Sequence, residues 1–453
     1  MRGALFVPEL RELVAAGNRD TIREVFADLH PSDGAELISG LEPHEIMDIL
    51  AIVGNRASIE IFEQLDLPVQ KACLEKAGPK AVLPFIEGMS PDDRVDLIKE
   101  VEPEIAERLM PLLAQAERDD IRRLLAYEEG TAGAIMTTEY ASVDKDITAA
   151  EALNRLRMQA PNKETVYYVY VVDQDRRLTG FVTLKDILLA RPTERVEEIM
   201  EKDVISVSID ESAEEVADKI SHYDFLAIPV IDEERRLVGI VTVDDILDVV
   251  EEEATEDIYH LAAAGKPLDY LSTGTFKIAR ERILWLFILV LTGFVAGAVM
   301  QRFQDQLTAV IALVFFIPVL SGTGGNAGTQ TTTVIIRGLA TGELEMRDIF
   351  RILFKEIRIG MLVGLAMGVL TALRAVITSP DPNLVVPLSL TVGLAMVGCV
   401  MLAISAGAVL PIFFKKIGLD PALMSGPFIS SLMDVFTLLL YLSLAAAIIP
   451  IPA

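Results

Sequence analysis

Hydrophobic and polar positions divide the chain into two stretches with different periods. From residue 1 to 276, apolar residues recur three and four apart or alternate with polar ones, and no apolar run is long enough to cross a bilayer. From 283 to 450, long apolar runs dominate. They predict five spans, at roughly 283–301, 308–338, 356–378, 386–413 and 427–449. The N-terminal MRGALFVPELREL has no signal-peptide core and turns quickly into a charged helix, so the first 276 residues are expected to form a soluble cytosolic region.

Within the polar stretch the period changes once more. Residues 1–128 read as short amphipathic helices: LRELVAAG, IREVFADL, GAELISGL and RVDLIKEV each place apolar residues on one face. Proline punctuates them at His30-Pro31, Glu42-Pro43, Ser90-Pro91 and Glu102-Pro103, and Ser90-Pro91-Asp92-Asp93 has the order of a helix start. An all-α superhelical domain is predicted over 1–129. Residues 131–250 hold an internal duplication. YVVDQDRRLTGFVTLKDIL (170–188) aligns with PVIDEERRLVGIVTVDDIL (229–247) at an offset of 59, and 135–153 aligns with 199–217 at an offset of 64. The first copy therefore carries five extra residues around Met158–Tyr168. Each copy predicts a helix, two β-branched strands joined by a turn such as Asp173-Gln174-Asp175-Arg176, and a second helix.

This paired repeat resembles a tandem CBS module, over 130–192 and 193–252. In that family a Gly-x-x-Thr-x-x-Asp segment after the second strand often contacts a nucleotide ribose. Here it reads Gly180 to Asp186 and Gly239 to Asp245. The resemblance makes Thr183, Asp186, Thr242 and Asp245 candidate contacts for ATP or another adenine nucleotide. The same Thr and Asp also make an ordinary helix N-terminus.

Charge follows the division of the chain. Residues 277–453 hold 12 Lys and Arg against 9 Asp and Glu, which leaves 28 and 58 for residues 1–276, a net charge of −30. Such a region is not expected to bind nucleic acid; its acidity serves either solubility or the attraction of divalent cations. The two cysteines, Cys73 and Cys399, fall one in each region, so neither a disulfide nor a thiolate metal site is expected. Basic residues also alternate between loops. Lys277, Arg280 and Arg282 precede the first span, Arg337 to Arg358 follow the second, and Lys415 and Lys416 follow the fourth, while QRFQDQ and TSPDPNLVV are nearly neutral or carry no base. The pattern predicts a cytosolic N-terminus and an external C-terminus.

Two features of the apolar stretch carry chemistry. Asp434 is the only charged residue between Pro421 and Ala453. An aspartate at a helix centre costs about 2.5–3.5 kcal/mol on insertion scales and usually faces a bundle interior or a wet cavity. Ser430, Asp434, Thr437 and Tyr441 are spaced to form one polar stripe. The competing explanation is a protonated carboxyl that locks two helices. The second feature is FIPVLSGTGGNAGTQTTTVIIRGLA (316–340), where Pro318 and Gly322 to Gly325 predict a helix broken inside the membrane. Beyond the expected break, Asn326, Thr329, Gln330, Thr333 and Arg337 form a polar stripe, which suits either pore lining or polar helix packing. Hard oxygen donors with no Cys or His among them suit Mg²⁺ or Ca²⁺ rather than soft ions. A site with one carboxylate per subunit suits a largely hydrated Mg²⁺, and a dimer would place two such aspartates about one axis.

Taken over nearly the whole chain, the order of acidic helices, CBS pair, connecting segment and five spans resembles the MgtE family of magnesium channels. The matching motifs are Pro318 with Gly324 to Gln330, Asp420-Pro421-Ala422, Ser431 to Asp434, and Glu251 to Asp257 running into the connector. The resemblance implies a homodimer in the lipid of a bacterial-type plasma membrane, a pore aspartate at Asp434, and a plug helix (253–281) ahead of the membrane domain (282–453). The resemblance further implies that the plug closes the pore when cytosolic Mg²⁺ is high. Where some members carry an asparagine after the Asp-Pro-Ala motif, this chain has Ser425-Gly426-Pro427. Candidate Mg²⁺ ligands are Asp434, Asn326 and Asp420 in the membrane part, with Asp92, Asp93 and Asp96 on the helical domain. Glu214, Glu215, Asp224, Asp244, Asp245 and Asp248 on the repeat, and Glu251, Glu252, Glu256 and Asp257 on the connector, complete the set. Feedback is the expected mechanism: Mg²⁺ neutralises an acidic region that otherwise repels itself. The alternatives are a proton-coupled divalent cation transporter, with Asp434 as the coupling carboxylate, and an anchored nucleotide sensor. An enzyme is not expected, since there is no Ser/His/Asp set, zinc motif or P-loop, and all four histidines lie in the polar stretch.

Overall fold

The structure, a computed structural model, describes residues 6–449 except Asp269, Leu271, Ser272 and Pro380. The chain splits into two compact units, Met1–Glu251 and Glu252–Ala453.

The first unit begins with short helices: α1 (Val7–Ala15), α2 (Arg19–Ala27), α3 (Pro31–Ile38), α4 (Pro43–Val53) and α5 (Asn55–Glu63). They continue as α6 (Leu67–Ala77), α7 (Pro79–Gly88), α8 (Pro91–Glu100), α9 (Pro103–Leu109) and α10 (Gln115–Leu124). Proline occupies the first turn of α3, α4, α8 and α9, where its fixed φ suits a helix start and its missing N–H costs nothing. Ile22, Phe26, Ile46, Phe62, Val82 and Leu97 share one core. That core extends into the second sheet through Met136, Val207, Ile228 and Ile246.

The duplication folds as two copies of one unit. The first holds α11 (Ala132–Ile135), β1 (Tyr140–Asp144), α12 (Ala149–Gln159), β2 (Thr165–Val172), β3 (Leu178–Thr183) and α13 (Leu184–Leu189). The second holds α14 (Val196–Ile199), β4 (Val207–Ser208), α15 (Ala213–Tyr223), β5 (Ala227–Ile231), β6 (Leu237–Thr242) and α16 (Val243–Leu261). In each sheet a parallel pair is followed by an antiparallel hairpin. The two hairpin turns place Arg176 and Arg235 at positive φ. They also exchange equivalent bonds, Leu178 N–H to Arg235 O and Leu237 N–H to Arg176 O, both 3.0 Å. The glycine of the repeated motif has a packing reason. A Cβ on Gly180 would lie 2.8 Å from Glu201 O, and one on Gly239 would lie 2.8 Å from Thr137 O.

The second unit is built on five helices long and apolar enough to cross a membrane, among the described residues. They are α17 (Thr275–Arg302), α19 (Ile317–Ala340), α20 (Ile349–Thr378), α21 (Pro382–Lys416) and α22 (Gly426–Ile448), with a short α18 (Gln304–Ala309) before α19. Two sequence expectations change. The connector is not a separate helix at its start, because α16 runs on from the repeat to Leu261. Of the plug helix expected over 253–281, Asp269, Leu271 and Ser272 lie outside the described residues, and the next described helix begins at Thr275. The break expected within the second span is absent. A 3₁₀ turn at Ile311–Phe316 precedes α19, Pro318 lies in the first helical turn, and the glycines are continuous helix. Proline there starts a helix rather than interrupting one. The glycines instead admit neighbours: a Cβ on Gly324 would meet Cys399 Sγ at 2.5 Å, and one on Gly328 would meet Ile429 Cγ2 at 2.7 Å. Gly407 of α21 lies so close that its Cβ would be 2.5 Å from Gly328 O. Small residues thus bring α19, α21 and α22 into backbone contact.

Candidate functional site

Three groups of candidate ligands form, two in the second unit and one in the first. In the second unit, α22 presents Asp434 to α19, where its carboxylate accepts a hydrogen bond from the Ser321 hydroxyl. Ser430 packs against Gly325 one turn away. The single polar stripe expected on α22 divides at this point. Thr437 is buried with its hydroxyl 2.7 Å from Cys399 Sγ, and the Tyr441 hydroxyl donates to Leu313 O at 3.0 Å. Those two groups are satisfied inside the bundle, which leaves Ser430 and Asp434 on the face toward α19. On α19, Thr331 and Thr332 are buried toward neighbouring helices, whereas Asn326, Gln330, Thr333 and Arg337 are exposed. An exposed amide and hydroxyl face on a membrane helix is poorly matched to hydrocarbon and well matched to water or to a second polar surface.

At one end of this unit the connector reaches the start of α22. The Thr329 hydroxyl donates to Gly426 O at 3.2 Å, so α22 begins beside the middle of α19. A Cβ on Gly426 would lie 3.7 Å from Leu261 O, at the end of α16. There His260 Nδ1 lies 2.9 Å from Asp420 Oδ2, and His260 Nε2 lies 3.6 Å from Glu256 Oε1. The Asp257 carboxyl is pushed up by burial and by the charge of Asp420. The structure thus brings the candidate ligands Glu256, Asp257 and Asp420 together, a meeting the sequence did not foretell, and adds His260, which the sequence offered no reason to single out.

In the first unit, α7, α8, α10 and α16 enclose an acidic cleft of about 1060 Å³ with the stretch that leads into β2. Asp92, Asp93, Asp244, Asp245 and Asp248, all candidate Mg²⁺ ligands by sequence, line it. Sequence reasoning missed Glu63, Glu117, Asp120, Glu139 and Glu164, which come from four further segments. Only their charge was legible; their convergence depends on segments as far apart in the chain as Glu63 and Asp248. Two oxygens, Asp92 Oδ1 and Glu117 Oε2, are buried and accept no hydrogen bond from the protein. Burial and the neighbouring carboxylates raise the Asp92 carboxyl well above its usual range. The same causes take Asp93 to about 9 and Asp245 to about 7. Carboxylates this crowded are relieved by protons or by a divalent cation. The donor set is all oxygen, with two orphaned acceptors, and it fits a hydrated Mg²⁺ bound largely through water. Among the described residues no group of three His, Cys, Asp or Glu forms a ready-made cage.

The remaining predicted acids do not join any of these groups. Asp96 pairs with Lys99 at 3.2 Å beside the cleft. Glu214 and Glu215 sit in the first turn of α15, and Asp224 is its left-handed C-cap. Glu251 and Glu252 lie on the exposed face of α16. The candidate nucleotide contacts engage one another. The Asp186 N–H donates to Thr183 Oγ1 at 3.1 Å, and the Thr242 hydroxyl donates to Asp245. Asp245 also faces the acidic cleft, so the second copy is a poor place for a polyphosphate.

Comparison with known proteins bears on this arrangement. Residues 29–130 match the MgtE intracellular N domain, 132–192 and 196–252 match CBS domains, and 317–444 match the MgtE divalent cation transporter profile. The magnesium transporter MgtE of Thermus thermophilus is 41% identical over 440 residues, 96% of this chain and 97% of that protein. The chain belongs to the MgtE family of magnesium transporters. A second family member, magnesium transporter MgtE of Bacillus subtilis, is 33% identical over 96% of each chain. Among solved structures, the cytosolic domain of the Mg²⁺ channel MgtE in complex with ATP is similar at TM-score 0.51 and 39% identity, covering 53% of this chain and 98% of that one. The soluble part of a magnesium transporter is similar at TM-score 0.52 and 33% identity, covering 56% and 99%. The family assignment agrees with the helical N-terminal domain, the CBS pair and the five long apolar helices described above.

Proposed function

We propose that the chain forms a homodimeric Mg²⁺ channel in a bacterial-type plasma membrane, with its N-terminus cytosolic and its C-terminus outside. The observation that carries this reading is the exposed polar face of α19 beside Asp434, on helices otherwise suited to lipid. In a dimer, two Asp434 carboxylates and the Asn326 amides would line one axis and hold a Mg²⁺ through its water shell. A sparse site of this kind binds weakly enough to release the ion. A membrane potential of 100 mV supplies about 4.6 kcal/mol for an inward divalent ion, so no pump chemistry is required.

The acidic cleft and the connector act as the sensor. At low cytosolic Mg²⁺ the carboxylates around Asp92, Asp93 and Asp245 repel one another and the cleft opens. At high Mg²⁺ the ion neutralises them and compacts the unit. A second cation site around Glu256, Asp257 and Asp420 would hold the end of α16 against the start of α22 and close the path. ATP or another adenine nucleotide would bind at the first CBS copy, near Thr183 and Asp186; the related cytosolic domain with ATP supports this.

Single-channel recording from Mg²⁺-uptake-deficient cells tests the reading. Wild type should give divalent currents that shut as cytosolic Mg²⁺ is raised, and Asp434→Ala should give none. Uptake without unitary currents, with flux following the proton gradient, would establish Asp434 as a coupling residue and overturn the channel.

A further inference from the structure

The acidic cleft contains two cations, and they are held in different ways. Arg94 of α8 is buried and its guanidinium is spent on backbone: Nε donates to Ile86 O at 2.8 Å, and Nη2 donates to Met89 O at 2.7 Å. It caps the end of α7 and places a fixed positive charge at the back of the cleft. Lys163 also lines the cleft, near Glu139, but forms no ion pair among the described residues. Its backbone is fixed next door, where the Glu164 N–H donates to Glu139 O at 2.9 Å. The side chain is a long flexible stem with an ammonium that can donate three hydrogen bonds. The cleft offers two buried carboxylate oxygens, on Asp92 and Glu117, that accept none.

Lys163 exists because the two copies differ. The connection from α12 to β2 occupies 160–164, whereas the equivalent connection from α15 to β5 occupies 224–226. β2 has 8 residues and β5 has 5. The five extra residues of the first copy are therefore spent on a turn and a longer strand, and that turn carries Pro161, Lys163 and Glu164 to the cleft wall. We propose that Lys163 is a tethered cation of the acidic cleft, which occupies its carboxylates when Mg²⁺ is scarce and has to be displaced when Mg²⁺ binds. On this view the asymmetry of the duplication sets the Mg²⁺ concentration at which the cytosolic unit compacts. The inference rests on the cleft being a Mg²⁺ sensor.

The sign of the effect separates this role from a structural one. A lysine that merely supports the fold would, when removed, weaken the compact form and raise the Mg²⁺ requirement. A competing tethered charge would, when removed, lower it. The test uses the full chain in detergent micelles and chymotrypsin, which does not cleave at lysine, with the Mg²⁺ concentration giving half-protection as readout. Lys163→Gln should lower that concentration about threefold or more, the scale of one screened unit charge beside a divalent ion. Lys163→Arg should leave it unchanged, and Lys163→Gln without Mg²⁺ should be cleaved faster than wild type. An unchanged or raised requirement in Lys163→Gln overturns the inference while the sensor stands. Wild type that Mg²⁺ does not protect at all overturns the sensor itself.

Discussion

On the proposed reading, the acidic cleft and the Asp434 site would treat the same ion by opposite means. In the cleft, carboxylates from at least five segments crowd together until protonation is favoured and oxygens are left without donors. At Asp434 a single carboxylate stands beside hydroxyls and an exposed amide face, on a helix that reaches its neighbours through glycine. Crowding makes a group that responds steeply to the first neutralising charge, which suits a sensor. Sparseness makes a site that an ion can leave, which suits a path. The comparison also explains why acidity alone was a poor guide: of the predicted acids, Glu214, Glu215 and Asp224 join neither site, while Glu63 and Glu117 were overlooked.

The largest expected effect separates the two sites outright. Asp434→Ala should reduce Mg²⁺ uptake at least about tenfold, since a transmembrane polar site of this kind is worth more than 1.4 kcal/mol. Protection of the first unit by Mg²⁺ should not change. Loss of that protection in Asp434→Ala would show that the sites are not independent.

Next comes the packing beneath the path. Gly407→Ala drives a Cβ into the backbone oxygen of Gly328, which cannot move aside as a side chain can. Overpacking of this kind costs about 1–3 kcal/mol. A thermal melt in detergent should fall measurably, with the Mg²⁺ dependence of proteolysis retained. An unchanged melt would mean that α19 and α21 are not held in backbone contact.

The cleft should respond by threshold rather than by loss. Asp92→Asn removes one of the crowded charges, so Mg²⁺-free protein should resist protease better than wild type. The Mg²⁺ needed for half-protection should rise roughly tenfold, about 1.4 kcal/mol of lost binding. A variant as sensitive to Mg²⁺ as wild type would remove Asp92 from the sensor.

Proton competition gives the smallest effect. Folding raises Asp93 to about 9 and Asp245 to about 7, both by burial first and by the neighbouring carboxylates second. A raised carboxyl pKa means the folded state binds the proton more tightly than the unfolded one. The penalty for the closed cleft is therefore full above about 9 and fades as pH falls toward the usual carboxylate range near 4. Without Mg²⁺, the cleft should become more protease-sensitive as pH rises from 6.5 to 9. Because Mg²⁺ displaces these protons, its half-protecting concentration should fall over the same interval. A half-protecting concentration that is flat with pH would remove both carboxyls from the site.

Much of the molecule was legible along the chain because its signals are local. Proline in the first turns of α3, α4, α8 and α9, the twofold repeat, and apolar runs long enough for a bilayer all depend on neighbours a few residues apart. The same locality misled at α19, where Pro318 and the glycines looked like a break. A glycine run says only that side chains are absent; whether the space becomes a kink or a seat for another helix depends on what packs there. Thr437 and Tyr441 shared a helical stripe with Asp434 by spacing, yet partners on Cys399 and Leu313 took them into the bundle. By itself the sequence determined the kind of protein, its repeated module, its charge division and the one carboxylate in an apolar run. Only the tertiary structure decided which acids meet, that His260 faces Asp420, and that a five-residue difference between copies delivers Lys163 to a cleft. Those outcomes rest on contacts between segments far apart in the chain, and no period or motif within a segment encodes its distant neighbour.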